Sequence, residues 1–259
     1  MANILDKIIE NKRREVDAQM RLTGGIPDFD FGTSVPSMKT ALLKSPTGII
    51  AEFKRRSPSK GEIHPLAMVN EIVPGYEKAG AAACSVLTDT PYFGGALTDL
   101  AVASSLVSMP LLRKDFTVSE FQIAQARFYG ASAILLIAAA LSSDEMQRFA
   151  DYAHSLGMEV LVEIHNAAEL DKLPSSADMV GVNNRDLTTF HTDPDLSLHL
   201  ASVLPEHTVK VAESGLTSMD EVYRLRDAGY RGFLIGETFM RHSDPAEALA
   251  RFINGTLQA

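Results

Sequence analysis

Short, unbroken apolar runs alternate along this chain with longer stretches whose apolar residues fall at helical spacing. The runs cover 48–54, 82–88, 110–114, 132–137, 159–163, 179–183, 208–213 and 232–236. Each is too short for a buried helix and lacks the strict alternation of a half-solvated strand, so it reads as a strand buried on both faces. Between the runs, 120–129, 143–156, 218–228 and 245–253 carry apolar positions three and four apart, which predicts helices. A further helix is expected over 66–80, but Pro74-Gly75 lies inside it and should kink or end its first portion. Ahead of the first run, Leu5, Ile8, Ile9, Val16 and Met20 predict an amphipathic helix from about Asn3 to Met20, followed by a Gly- and Pro-rich loop at 24–28.

Strand and helix in alternation imply a parallel sheet covered on both faces. About eight units in 259 residues favour one closed (β/α)8 TIM barrel over an open doubly wound sheet. No Gly-x-Gly-x-x-Gly follows the first strand, which removes the main support for a dinucleotide-binding fold. The expected organisation is a single barrel domain over 1–259, with 1–47 as an N-terminal extension preceding the first strand.

Composition narrows the function. A net charge of -9 argues against a nucleic-acid partner, although an acidic protein can still hold a locally basic cleft for an anionic small molecule. No run approaches the roughly 20 apolar residues of a membrane span, and the N-terminus lacks a signal-peptide core, so no membrane partner is expected. Cys84 is the only cysteine, which excludes an intramolecular disulfide and fits a cytoplasmic location.

Catalysis in such a barrel sits at the C-terminal ends of the strands. Here those ends carry Glu52 and Lys54, then Lys114, Glu163, Asn183, Glu213 with Ser214, and Gly236. Glu52 and Lys54, two apart on a strand, share a face. Taken alone they read equally as an ordinary strand-end ion pair, and it is the recurrence of charged and amide residues at successive ends that points to chemistry. Burial beside Phe116 would lower the pKa of Lys114 towards the range of proton donation and return, and Glu163 reads as an acid/base, as half of a buried ion pair, or as both. Ser214-Gly215 and Gly236-Glu237-Thr238 read as phosphate-binding turns after the last two strands. His165 lies just beyond Glu163, but a solvated loop histidine is the stronger reading. Neither a metal-ligand spacing nor a nucleophile elbow is present, so no metal is expected.

At these residues the chain closely resembles the indole-3-glycerol phosphate synthase family. The resemblance is carried by Glu52-Phe53-Lys54-Arg55-Arg56-Ser57-Pro58-Ser59, Leu112-Arg113-Lys114-Asp115-Phe116, Leu161-Val162-Glu163, Asn183-Asn184-Arg185-Asp186-Leu187, Ala212-Glu213-Ser214-Gly215 and Leu234-Ile235-Gly236-Glu237, with Tyr92-Phe93-Gly94-Gly95 between them. It implies a TIM barrel enzyme of tryptophan biosynthesis that needs no cofactor. The implied reaction converts 1-(2-carboxyphenylamino)-1-deoxyribulose 5-phosphate to indole-3-glycerol phosphate, carbon dioxide and water. By the same resemblance Lys114 is the acid that protonates the substrate carbonyl, and Glu163 serves the dehydration. Glu52 and Asn183 orient Lys114 and the substrate hydroxyls, while Lys54, Ser57 and Arg185 meet substrate anions. The turns at Gly215 and Gly236, with Glu213, Ser214 and Glu237 beside them, hold the phosphate. Phe93, Phe116 and Leu136 wall the aryl ring, with core packing as the other reading of Leu136. The segment 55–63 is placed to act as a mobile loop over the substrate. Association with other enzymes of the pathway is a further possibility.

Three other readings stand beside this one: a phosphoribosyl isomerase, a Schiff-base aldolase built on Lys114, and a phosphosugar sensor without turnover. The paired carboxylates Glu52 and Glu163 favour proton chemistry over a Schiff base, and the presence of Lys114 with both glutamates speaks against a sensor.

Overall fold

The computed structural model describes residues 4–186 and 189–257; the expected helix start at Asn3 and Leu187 of the Asn-Asn-Arg-Asp-Leu stretch lie outside them. Eight parallel strands close into a TIM barrel: β1 (Ile49–Phe53), β2 (Ala83–Leu87), β3 (Leu111–Lys114), β4 (Ala133–Ile137), β5 (Glu159–Ile164), β6 (Met179–Asn183), β7 (Val209–Glu213) and β8 (Gly232–Ile235). Each strand pairs with its neighbours in sequence and β8 returns to β1, with Ile50 opposite both Ala83 and Leu234. The observed bounds match the apolar runs to within a residue or two. Unbroken apolar sequence is what a strand needs when one face meets the barrel interior and the other meets helices.

The two faces build two separate cores. Ile50, Leu112, Leu135, Ile137, Leu161, Val211 and Leu234 point inward, while Ile49, Ala51, Leu136, Val160, Val162 and Phe233 pack against the helices. The barrel floor is closed from outside the barrel sequence. Helix α1 (Ile4–Thr23) is followed by α2 (Met38–Lys44), whose Met38 and Leu42 are buried among the inward residues. Each such buried side chain contributes about 1.5–3 kcal/mol. Helix α2 is tied down at its first turn, where Ser37 accepts from the Thr40 amide and Glu159 at the foot of β5 accepts from the Lys39 amide at 2.8 Å. These contacts give the end of the 1–47 extension a structural task.

The connecting helices are α3 (Val69–Ala79), α4 (Thr90–Phe93), α5 (Leu97–Leu106), α6 (Glu120–Phe128), α7 (Ser143–Ser155), α8 (Leu196–Leu200), α9 (Met219–Asp227), α10 (Glu237–Met240) and α11 (Pro245–Ile253). After β5 the helix is replaced by a 3-10 turn at Ala167–Lys172. The helix does not end at Pro74-Gly75, since α3 runs through both residues. Tertiary packing overrides the lost backbone hydrogen bond: Val69, Ile72, Val73 and Tyr76 form one buried face. Gly75 has its own reason, because a Cβ there would lie 2.6 Å from the Cβ of Ala246 on α11.

Candidate active site

At the C-terminal mouth, the ends of five strands converge on a cavity of about 220 Å³ that Glu52, Lys54, Lys114, Glu163, Asn183 and Glu213 all line. Strand parity aims these side chains inward, and two glycines on neighbouring strands make room for them. A Cβ at Gly181 would lie 2.1 Å from Oε1 of Glu213, and one at Gly236 would lie 2.4 Å from Oε1 of Glu52. Gly236, read from sequence as a phosphate turn, is therefore required first by the carboxylate packed against it.

Glu163 is the hub. Its Oε2 lies 3.3 Å from Nζ of Lys114, and its Oε1 accepts from Nδ2 of Asn183 at 3.2 Å. Nε2 of His165 lies 3.2 Å from the same Oε1, and Nδ1 lies 3.5 Å from Glu169. Neither imidazole nitrogen is aligned for a hydrogen bond, so the contact is an ion pair. Across the cavity Oε2 of Glu213 is 3.9 Å from Nζ of Lys114, and its Oε1 is buried without a hydrogen-bond partner. Glu52 pairs with Lys54, Oε1 to Nζ at 2.6 Å. Asn183 thus orients Glu163 rather than Lys114, and Glu52 reaches Lys114 through its field.

The electrostatics correct one expectation. Burial does pull the Lys114 ammonium down, but the carboxylates of Glu163, Glu213 and Glu52 outweigh it and hold the group above its ordinary value. Lys114 is a cation in this site, a proton donor rather than a poised free amine. Burial pushes Glu163 up, and Lys114, His165 and Asn183 more than reverse that, so it stays ionised below the usual carboxylate range. Glu213 moves the other way: burial and the nearby charge of Glu163 raise it against the pull of Lys114. Glu163 and Glu213 share one mouth and their proton affinities are driven apart. His165 corrects a second expectation. It is no solvated loop residue: its side chain is only 12% exposed, and Glu163 and Glu169 overcome the cost of burial and raise it to about 10.

The apolar side of the cavity is formed by Phe93 at the end of α4 and Phe116 after β3, their ring centroids 6.0 Å apart. Leu136, expected beside them, is not there. It belongs to the outward core, and its strand neighbours Leu135 and Ile137 line the cavity instead. The aryl-wall reading was one residue out of register on a strand where every second side chain faces away. Leu5 and Ile8 of α1 also reach the cavity; the amphipathic spacing of the N-terminal helix marked them as buried, but nothing in it said against what.

Ser57 and Ser59 line the opposite side, on a hairpin of Arg56–Ser57 with Gly61–Glu62. The base of this loop is fixed, with Arg55 bound to both carboxylate oxygens of Asp99 at 2.5 and 3.0 Å. The tip reaches across the mouth. Ser59 accepts from Nη1 of Arg185 at 3.1 Å, and Lys60 lies 3.5 Å from Glu237. Arg185 also reaches Glu237 through Nη2 at 3.3 Å. Burial pushes Glu237 up, and Lys60 and Arg185 hold it below its ordinary value.

After β7 the backbone turns left-handed at Ser214 (φ 65°) and Gly215 (φ 79°). For serine this conformation costs on the order of 1–3 kcal/mol, and Nδ2 of Asn184 supports it by donating to the Ser214 carbonyl at 3.0 Å. Thr238 on α10 donates to the Leu216 carbonyl at 2.8 Å and joins the two last loops. Among the described residues, no group of three or more His, Cys, Asp and Glu side chains is arranged to hold a metal ion, and no helix is long and apolar enough to cross a membrane.

Comparison with known proteins bears on this geometry. The family model for indole-3-glycerol phosphate synthase matches residues 5–252. An indole-3-glycerol phosphate synthase of Bacteroides thetaiotaomicron is 52% identical over 257 residues, covering 98% of both chains. One from Laribacter hongkongensis is 43% identical, covering 96% of this chain and 98% of its own. Among solved structures, a mutant tryptophan synthase alpha-subunit from Pyrococcus furiosus superposes with a TM-score of 0.60 at 13% identity, over 82% of this chain and 98% of its own. An N-acetylmannosamine-6-phosphate 2-epimerase from Clostridium perfringens does so with 0.60 at 14% identity, over 86% and 99%. At such identities the superpositions speak for the barrel fold alone.

Proposed function

Because the chain belongs to the indole-3-glycerol phosphate synthase family, enzymes of the carboxy-lyase type, we propose for its barrel mouth the ring closure of 1-(2-carboxyphenylamino)-1-deoxyribulose 5-phosphate. The products are indole-3-glycerol phosphate, carbon dioxide and water. The observation that carries the reading is Lys114, an ammonium held charged by Glu163 and Glu213 beside an apolar wall of Phe93 and Phe116.

Lys114 donates its proton to the substrate carbonyl oxygen as the aromatic carbon bearing the carboxylate attacks the carbonyl carbon. A cation at that place also stabilises the developing oxyanion. Loss of carbon dioxide then returns its bonding electrons to the ring and restores aromaticity. The hydroxyl formed from the carbonyl departs as water, and the adjacent methylene gives up a proton to complete the indole. Glu163, ionised and anchored by Asn183 and His165, is the base for that proton. Glu213, whose hold on a proton is strengthened by burial and by Glu163, is a proton source next to Lys114. Glu52 holds Lys54 at the mouth.

Lys54, Ser57 and Arg185 meet the substrate anions. The phosphate lies between the left-handed turn at Ser214-Gly215 and the start of α10 at Gly236, where Arg185 and Lys60 supply positive charge. Glu237, already paired with those two cations, sets their position there. The tip of the hairpin, held by Ser59 and Lys60, acts as the lid, and its protection from protease should rise when substrate is present.

The reading also places the enzyme in the cytoplasm, which is supported by a buried, unpaired Cys84. Association with other enzymes of tryptophan synthesis would appear as co-elution with them in size-exclusion chromatography; independent elution would mark a free enzyme. The reaction itself is tested by mixing the purified protein with the carboxyphenylamino ribulose phosphate. Indole fluorescence should grow in step with released carbon dioxide, and no fluorescence at any substrate concentration would refute the reading.

A further inference from the structure

The buried stripe of α1 is Leu5, Ile8, Lys12 and Val16, three or four residues apart on one face. A lysine in that stripe is unexpected, because burying an ammonium costs several kcal/mol where a leucine would pack at no such cost. Lys12 is nevertheless only 2% exposed. Its Nζ lies 2.9 Å from Oδ1 of Asp89 and 3.1 Å from Oδ1 of Asp115, both themselves buried, and 3.0 Å from Glu15.

Those two aspartates come from the loops after β2 and β3, and each fixes one ring of the aryl wall. Asp89 caps α4, accepting from the Tyr92 amide at 2.8 Å, and α4 ends on Phe93. Oδ1 of Asp115 accepts from the amide of Phe116 at 2.8 Å. Further along α1, Val16 packs on Val118 and Phe121, and in the other direction Leu5 and Ile8 enter the cavity. An all-apolar stripe could dock displaced by a turn. An ammonium that must meet two carboxylates at once permits one register.

We propose that Lys12 is a positioning residue for the aryl-binding wall: bridging Asp89 and Asp115, it sets the register of α1 and so places Leu5 and Ile8 beside Phe93 and Phe116. The inference rests on the reaction proposed above, since it assigns these side chains to the ring of the substrate and the indole of the product. Lys12 touches no reacting atom, and its effect passes through the shape of the wall.

The test compares two ligands that share a phosphate and differ in the ring, indole-3-glycerol phosphate and glycerol 3-phosphate, by calorimetry on the full chain. Lys12→Met should weaken the indole ligand about tenfold or more and leave glycerol 3-phosphate within about twofold. In turnover it should raise KM by a similar factor with a smaller change in kcat. Lys12→Arg, which keeps the charge, should recover most of the loss. Should Lys12→Met fail to fold, Lys12→Gln carries the same comparison. Equal weakening of both ligands, or of neither, in a folded variant overturns the role of Lys12. A wild-type protein that binds glycerol 3-phosphate but not the indole ligand overturns the reaction itself, and this proposal with it.

Discussion

Two buried ionic clusters lie back to back on β3, and they are built on opposite plans. Inside the barrel, Lys114 and Lys54 face three carboxylates, Glu52, Glu163 and Glu213, with His165 behind, and the group lines a cavity. Outside it, Lys12 and Arg113 face Asp89 and Asp115, with Glu15 of the same helix also on Lys12, and the bonds interlock. Arg113 donates to Asp115, to the Thr88 hydroxyl at 3.1 Å and to the Gln122 carbonyl at 2.6 Å. The interlocked cluster fixes structure. The inner one raises the proton affinity of one of its own carboxylates, Glu213, and is left open to a ligand, which is the arrangement proton-transfer chemistry requires.

Substitutions in the two clusters should therefore fail in different ways. In the inner cluster, Lys114→Ala and Glu163→Gln should each lower kcat on the order of 10²-fold or more, with circular dichroism unchanged. Turnover near wild type in either would remove that residue from the mechanism. In the outer cluster, Arg113→Met leaves Asp115 with Lys12 as its remaining cation and removes three buried hydrogen bonds, and urea unfolding should show a loss of about 3–5 kcal/mol. The folded fraction of that variant should keep its kcat; a kcat loss as large as that of Lys114→Ala would erase the distinction between the clusters.

A finer contrast lies on β4, where adjacent residues face opposite layers. Leu136→Ala should cost about 2–5 kcal/mol of stability and leave KM unchanged, whereas Leu135→Ala should raise KM as well. A KM effect confined to Leu136→Ala would restore the aryl-wall role that the register denies it.

The smallest effect concerns pH. His165 is raised in the folded protein from 6.5 to about 10, so its protonated form favours the fold. That contribution is complete below pH 6.5 and disappears as the pH climbs through 10. Wild-type stability should accordingly fall relative to His165→Gln across this window. Parallel pH profiles would show that the imidazole is not held by Glu163 and Glu169.

How legible this molecule was depends on the kind of information each feature needs. The strands were legible because a doubly buried strand has to be apolar throughout, and the charged strand ends stood out against those runs. Facing direction was harder. It depends on parity across the whole strand, and Leu136 was misassigned because an unbroken apolar run carries no alternation to count. Pro74 misled because local propensity is silent about the packing that carries α3 past it. The proton affinity of Lys114 was missed for a different reason: burial alone lowers a lysine, and the three carboxylates that reverse this come from β1, β5 and β7, distant in sequence. The same distance hid Asp89 and Asp115 from Lys12, whereas Glu163 and Glu169 lie close to His165 in sequence and it was the direction of the imidazole that the pattern did not carry. Short helices such as α4, α8 and α10 left no periodicity to read, since one turn is too short to show a stripe.

The most direct test of the account is the protonation of Lys114 itself, followed by heteronuclear NMR of the ζ-nitrogen in ligand-free protein as the pH is raised. The account predicts an ammonium signal that persists through neutral and mildly alkaline pH in the wild type and titrates earlier in Glu163→Gln. Deprotonation of wild-type Lys114 at or below neutrality would contradict it.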